Sequence, residues 1–238
     1  MKADAIIFDK DGTLLEFDKF WVKVSEKAIE QVLKKFTIDG TLKNEIMQAI
    51  GVKNGVTEIN SVLCKGTYKQ IGQVVCKVLN QNGYNENEEK VIKCVVDAYN
   101  DNYSAGEVVA TVPNLFDVLN KLKSQNKKLA VVTTDNDYVT SICLKKLGVE
   151  NLFDKVYTDD GKTPTKPDPY CVFDICEKFG LKKENVIMVG DTLTDVNFAK
   201  NAGIKVIGVA KHEFNKKILE NNADVVVDDL SYILNLID

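Results

Sequence analysis

Apolar positions along this chain follow two different rhythms. A continuous apolar run lies at residues 5–8, and strand-length segments dominated by apolar residues lie at 128–133, 155–158, 185–189, 204–209 and 224–227. Strands covered on both faces read as uninterrupted apolar runs, so these segments predict a buried sheet. Elsewhere the spacing is helical. Phe17, Phe20, Trp21, Val24, Ala28 and Val32 line one face of a helix over 17–36, and a second helix is predicted over 41–51. Thr67-Tyr68-Lys69-Gln70 is a capping box that opens a helix over 67–82, stopped by Gly83, and Val91, Ile92, Val95, Val96 and Tyr99 mark another over 87–103. Later helices are predicted from Pro113 to Gln125, over 136–147, from Asp168-Pro169 to just before Gly180, over 193–202, over 214–221, and at the C-terminus.

Strands that alternate with helices give a parallel sheet with right-handed crossovers, an α/β doubly wound fold. No strand is predicted between about 17 and 105, which makes that stretch an all-helical insert. The expected organisation is a core of residues 1–16 and 106–238 and a helical cap of residues 17–105. The two connections, near 16 and 106, should lie close together above the carboxyl ends of the strands.

Composition narrows the function. The net charge of −4 does not imply a nucleic-acid partner. All 31 basic residues are lysine, so any bound phosphate must be held by lysine, backbone N–H groups, hydroxyls or a metal, without a guanidinium fork. The six cysteines form no C-x-x-C pair and no zinc-ligand spacing, as expected for reduced thiols. The N-terminal apolar run stops at Asp9, too short for a signal-peptide core, and no run reaches bilayer length. A cytoplasmic protein without a membrane partner is expected. Its oligomeric state is not encoded in these patterns, which are compatible with a monomer.

The first strand ends in Asp9-Lys10-Asp11-Gly12-Thr13. Residues i and i+2 of an extended chain share a side, so Asp9 and Asp11 should converge while Lys10 turns away. Carboxylates at a strand end must be solvated, paired or metal-bound. Three further segments bring polar groups to strand ends: Thr133 and Thr134, Lys166 before Pro167, and Asp191 with Asp195. Singly, each has a bland explanation in a helix cap or a turn. Together on one edge of one sheet they point to phosphoryl transfer.

In order and context these segments resemble the four motifs of the haloacid dehalogenase-like (HAD) superfamily: Asp9-Lys10-Asp11-Gly12-Thr13, Val132-Thr133, Lys166-Pro167, and Gly190-Asp191-Thr192-Leu193-Thr194-Asp195. The resemblance covers the predicted core, and the insert resembles the helical cap of phosphoglycolate-phosphatase-like members. It implies a Mg²⁺-dependent phosphatase acting on small phosphorylated metabolites. Asp9 would be the nucleophile that forms an aspartyl phosphate, and Asp11 the general acid and base. Thr133, Thr134 and Lys166 would bind the phosphoryl group. The metal would be held by Asp9, Asp191 and the backbone carbonyl of Asp11, and Asp195 would orient Lys166 or a metal-bound water. A β-phosphoglucomutase-like phosphomutase uses the same motifs, and a catalytically silent binding protein is the non-enzyme alternative. Carbon–halogen hydrolysis lacks the second aspartate, present here as Asp11, and phosphonate cleavage usually has alanine there.

Other residues have plainer expectations. His212, the single histidine, is expected at an exposed helix entry, and Asp135 as a cap of the helix over 136–147 or a substrate contact. Lys53, Lys65, Thr67 and Tyr68 are candidate specificity residues of the insert, while the Trp21 stripe is expected to form its core.

Overall fold

The computed structural model describes residues 1–58, 61–211 and 213–238, with the backbone but not the side chain of Phe214. His212 therefore lies outside the described residues. Two compact units are present: one of residues 1–16 and 108–238, the other of residues 17–107.

The chain begins with β1 (Ala5–Phe8) and then enters the second unit. That unit contains α1 (Phe17–Lys35), α2 (Lys43–Ala49), a hairpin of β2 (Val52–Lys53) and β3 (Val56–Thr57), α3 (Val62–Lys65), α4 (Tyr68–Gln81) and α5 (Glu88–Asp101). The expectation of an all-helical insert needs correction at the hairpin. Its strands are two residues long, too short to show a period of two. Its turn is Asn54-Gly55, with φ of 53° and 76°, the left-handed pair that two-residue hairpins favour. The Thr57 N–H donates to Asp18 Oδ1 (3.0 Å), which ties the hairpin to the first turn of α1.

Inside this unit Trp21 is buried edge-on against Phe20 and Tyr103, and Tyr68 stacks on Tyr99 at 5.0 Å. The Trp21 stripe is core, as its spacing predicts. Thr67 and Gln70 make the reciprocal capping box at the start of α4. Lys53 pairs with Glu58 in solvent (2.6 Å). The fully buried Tyr99 hydroxyl donates to Ser25 Oγ at 2.9 Å, and burial pushes its pKa up.

The first unit resumes with α6 (Leu115–Ser124), β4 (Lys128–Val132), α7 (Asp137–Lys146), β5 (Lys155–Tyr157), α8 (Tyr170–Phe179), β6 (Val186–Gly190), α9 (Leu193–Ala202), β7 (Lys205–Val209), α10 (Glu213–Glu220) and β8 (Val225–Val227). The expected terminal helix is instead a 3₁₀ segment, Leu230–Asn235, capped by Asp229. The strands form a parallel six-stranded sheet in the order β5-β4-β1-β6-β7-β8. Alternate side chains face opposite layers. Ile6, Phe8, Leu129, Val131, Ile187 and Val189 pack with Leu115, Val118 and Leu122 of α6 and with Leu144 of α7. Ala5, Ile7, Ala130, Val132, Val186 and Met188 pack with α8, α9 and α10 through residues such as Val172, Phe198 and Leu219. Each fully buried aliphatic side chain contributes about 1.5–3 kcal/mol, so this central strand triplet carries much of the unit's stability.

Strand order reverses at β1, which has β4 on one side and β6 on the other. Phe8 is level with Val131 and with Val189, so the residues just beyond these three strands emerge side by side. In open α/β sheets this switch point is where ligands bind. The chain leading out of this unit also runs beside the chain returning to it: Glu16 N–H donates to Val109 O (2.8 Å) and Thr111 N–H to Leu14 O (3.1 Å).

Ser25→Ala should destabilise the protein by about 1–3 kcal/mol, because the Tyr99 hydroxyl is then buried without its acceptor. Tyr99→Phe should cost less, since a helical serine can turn back to a carbonyl of the preceding turn. Urea unfolding of the two variants checks the order.

Candidate active site

Asp9 follows β1 directly, and its N–H remains in the ladder by donating to Val189 O (2.9 Å). That bond fixes the direction in which the carboxylate leaves the sheet. Gly12 then turns the chain with φ +82°. A Cβ there would sit 2.1 Å from Asp191 Oδ2, so the absent side chain is what lets Asp191 approach from the end of β6. Thr13, fully buried, donates from Oγ1 to Asp191 Oδ1 (3.3 Å). Gly190 has the same function one residue earlier, where a Cβ would meet Asp195 Cγ at 2.4 Å.

Asp195 occupies the first turn of α9, in a capping box with Thr192. Its Oδ2 accepts from the Thr192 N–H (3.0 Å) and hydroxyl (2.7 Å), leaving Oδ1 for Lys166 Nζ at 2.7 Å. Lys166 also pairs with Asp9 Oδ1, and its side chain is only 4% exposed. Its loop is tied to α9 where Asn201 Nδ2 donates to Pro167 O (2.9 Å). Ligand oxygens of Asp9, Asp191 and Asp195 all lie within 4.8 Å of one another.

This grouping leaves negative charge in excess: three carboxylates surround one ammonium. Burial, assisted by Asp195 and Asp11 and opposed by Lys166, pushes the Asp9 carboxyl up to about 7. Burial and the neighbouring Asp9 and Asp195 raise Asp191 in the same direction. Lys166 is raised by Asp195 and Asp9 against the desolvation that opposes it, so it stays charged. An under-neutralised, all-oxygen cluster is the donor set that hard divalent cations take. The residues present therefore fit such an ion.

The remaining expected residues divide. Thr133 is buried at the end of β4, where its Oγ1 accepts from the Asp135 N–H (3.2 Å), and Thr134 is exposed beside it. The Asp11 carboxylate is not part of the three-aspartate group. Its Oδ2 pairs with Lys10 Nζ at 2.6 Å, and Lys10 Nζ also meets Asp135 Oδ2 at 2.8 Å. Asp135 is thus not the helix cap. Asn136 caps α7 by accepting from Val139 N–H (3.0 Å). Burial, with a contribution from Asp11 and against Lys10, pushes Asp135 up to about 7. Lys10 was a missed participant. Its sequence signal was a lysine at the tip of an apolar strand, which can be buried only against carboxylates.

A doubly wound sheet whose switch point gathers buried carboxylates around a lysine is an α/β core with a donor set that fits a hard cation. A family model described as "Haloacid dehalogenase-like hydrolase" matches residues 6–209. The chain is 29% identical over 235 residues to a phosphoglycolate phosphatase of Haemophilus influenzae (strain 86-028NP), covering 97% of this chain and 96% of that one. A phosphoglycolate phosphatase of Pasteurella multocida (strain Pm70) is 28% identical over 217 residues, 85% of this chain and 96% of its own. The crystal structure of a predicted phosphoglycolate phosphatase from Haemophilus somnus 129pt superposes with a TM-score of 0.75 at 24% identity, over 99% of this chain and 98% of that one. A HAD-superfamily hydrolase from Geobacter sulfurreducens PCA superposes with a TM-score of 0.66 at 17% identity, over 98% and 96%. These two likenesses concern the fold. The chain belongs to the haloacid dehalogenase-like hydrolase family, and it is an enzyme of the phosphatase class. Among the described residues no helix is long and apolar enough to cross a membrane.

The raised carboxyls set a pH dependence. Between the ordinary value of 3.8 and about 7, the folded chain keeps protons on Asp9 and Asp135 that the unfolded chain has lost. Stability from these groups is therefore greatest at the acidic end of that window and is lost as pH rises through it. Chelator-treated protein should melt several degrees lower at about pH 8 than at about pH 5, and a saturating divalent cation should flatten that slope. Calorimetry with and without the ion checks both.

Proposed function

We propose that this enzyme is a Mg²⁺-dependent phosphatase of small phosphorylated metabolites that works through an aspartyl phosphate on Asp9. The observation that carries the reading is the placement of Asp9: a carboxylate fixed by the β1 ladder, paired with Lys166, and grouped with Asp191 and Asp195. Phosphoglycolate is the first candidate substrate, because the relatives matched along most of their length are named for it.

A carboxylate nucleophile and a phosphate dianion repel one another. At ~4 Å and an effective dielectric near 20 each unit-charge pair costs about 4 kcal/mol. Asp9, Asp191 and the backbone carbonyl of Asp11 would hold Mg²⁺, which when bound would supply the positive charge that offsets this repulsion. Lys166 adds positive charge at Asp9 Oδ1, and Asp195 keeps that ammonium aimed. The Thr133 hydroxyl and nearby backbone N–H groups hold the remaining phosphoryl oxygens. Thr134 stands at the rim of the same loop.

Asp9 attacks phosphorus in line; the bond to the leaving oxygen breaks, and that oxygen takes a proton from Asp11. Water then attacks the phosphorus of the acyl phosphate, giving its proton to Asp11, and phosphate leaves with Asp9 restored. Six free cysteines fit a reducing compartment, here the cytoplasm.

Asp9→Asn should lower turnover at least ~10³-fold while leaving the far-ultraviolet spectrum native-like. Hydrolysis near the wild-type rate by that variant overturns the assignment of Asp9. A phosphate-release panel that includes phosphoglycolate and hexose phosphates tests the substrate class. Isomerisation of a hexose monophosphate without net phosphate release would instead identify a mutase.

A further inference from the structure

Outside the Asp9 group there is a second buried ionic cluster. Lys10 has no exposed side-chain surface, although its neighbours on the strand are apolar and its backbone stands between two acidic residues. Its ammonium bridges Asp11 Oδ2 (2.6 Å) and Asp135 Oδ2 (2.8 Å). Asp135 is itself held at both backbone ends: its N–H donates to Thr133 Oγ1 (3.2 Å), and its carbonyl accepts from the Asp159 N–H (2.8 Å). The Asp11 carboxylate is therefore fastened, through one buried lysine, to the loop that follows β4.

We propose that Lys10 is a positioning residue for the acid–base carboxylate: with Asp135 as its anchor, its ammonium fixes the rotamer of Asp11 and couples it to the Thr133 turn. This inference rests on the proposed role of Asp11 and adds to it the device that aims the group. The need is physical. A general acid must stand within hydrogen-bond reach of the leaving oxygen, and displacement by about 1 Å can cost ~10²-fold in rate. Asp11 lies in the turn beyond the strand, where a bridge to Leu15 fixes its backbone, and an ammonium at 2.6 Å holds its side chain. A buried lysine has already lost its rotamer freedom and makes a stiff anchor. Lys10 does not itself reach substrate; it acts through Asp11.

The test separates positioning from plain structural support by leaving-group dependence. An alkyl phosphate needs a proton on its departing oxygen, whereas a nitrophenyl phosphate does not. Both require a base for the second step. In Lys10→Met, turnover of the alkyl ester should fall roughly 10²-fold. The nitrophenyl ester should release a rapid burst of about one equivalent per enzyme, followed by slow turnover, the signature of an accumulated acyl phosphate. Asp135→Asn, which keeps the Lys10–Asp11 pair, should shift both readouts in the same direction by roughly tenfold. Because it retains the ammonium beside Asp11, it serves where Lys10→Met does not fold. Asp11→Asn is the reference. If it shows burst and selectivity while Lys10→Met and Asp135→Asn lose both esters equally, or lose neither, the positioning role is wrong and the role of Asp11 stands. If Asp11→Asn shows neither signature, the acid–base reading falls and this inference falls with it.

Discussion

The carboxyl edge of the sheet is governed by a charge imbalance that the fold holds in place. Asp9, Asp11, Asp135, Asp191 and Asp195 meet only two ammonium groups there, Lys10 and Lys166, leaving three negative charges unmatched in a largely dry region. Removing ions from water costs several kcal/mol each unless partners compensate. The strand triplet β4-β1-β6 can impose that arrangement because its ladders and the two apolar layers fix where each strand ends. The local repulsion is then relieved by protons retained on these buried carboxyls, Asp9 and Asp135 among them, or by a bound cation.

The two lysines divide this edge by function. Lys166 comes from a loop after β5 and serves Asp9 and Asp195, the side on which bond making to phosphorus is proposed. Lys10 comes from β1 itself and serves Asp11 and Asp135, the side on which proton transfer is proposed. In a chain without arginine, both links are made by compact ammonium groups that hold carboxylates as point charges. A guanidinium fork would fix two oxygens at once. Here Asp195 gives one oxygen to Lys166 and keeps the other for Thr192.

Much of this could be read from the chain before its fold was known, for physical reasons. The six sheet strands are rich in apolar residues without alternation, because a strand covered on both faces has no reason to alternate. Their ends could be recognised because Asp9 and Thr133 follow such a run directly and Asp191 follows one after Gly190. Three features were not readable. The hairpin at Val52–Thr57 has strands too short for a period, although its Asn54-Gly55 turn was in plain view. The C-terminal segment has helical spacing but winds as a 3₁₀ helix. The Lys10–Asp135 pair joins residues more than a hundred positions apart, and strand alternation alone sends Lys10 away from Asp9 without saying where its ammonium comes to rest. Alternation describes Cβ directions, while a four-carbon stem can carry its charge to the next residue's carboxylate.

A purely structural account of the edge fails on its own terms. If stability were the only constraint, apolar residues at positions 9 and 191 would extend the core and remove the cost of burying charge, since replacing buried ions by well-packed hydrophobic groups is often neutral or stabilising. Instead the chain gives up a side chain at Gly12, in a left-handed conformation, and another at Gly190, so that Asp191 and Asp195 can come closer to an already acidic centre. Two separate glycines that bring like charges together oppose what folding alone favours. Local rules broken in this concerted way mark a site kept for chemistry. The stiff sheet around it explains how the protein tolerates the strain: the unfavourable charges sit where the backbone is least able to relax away from them.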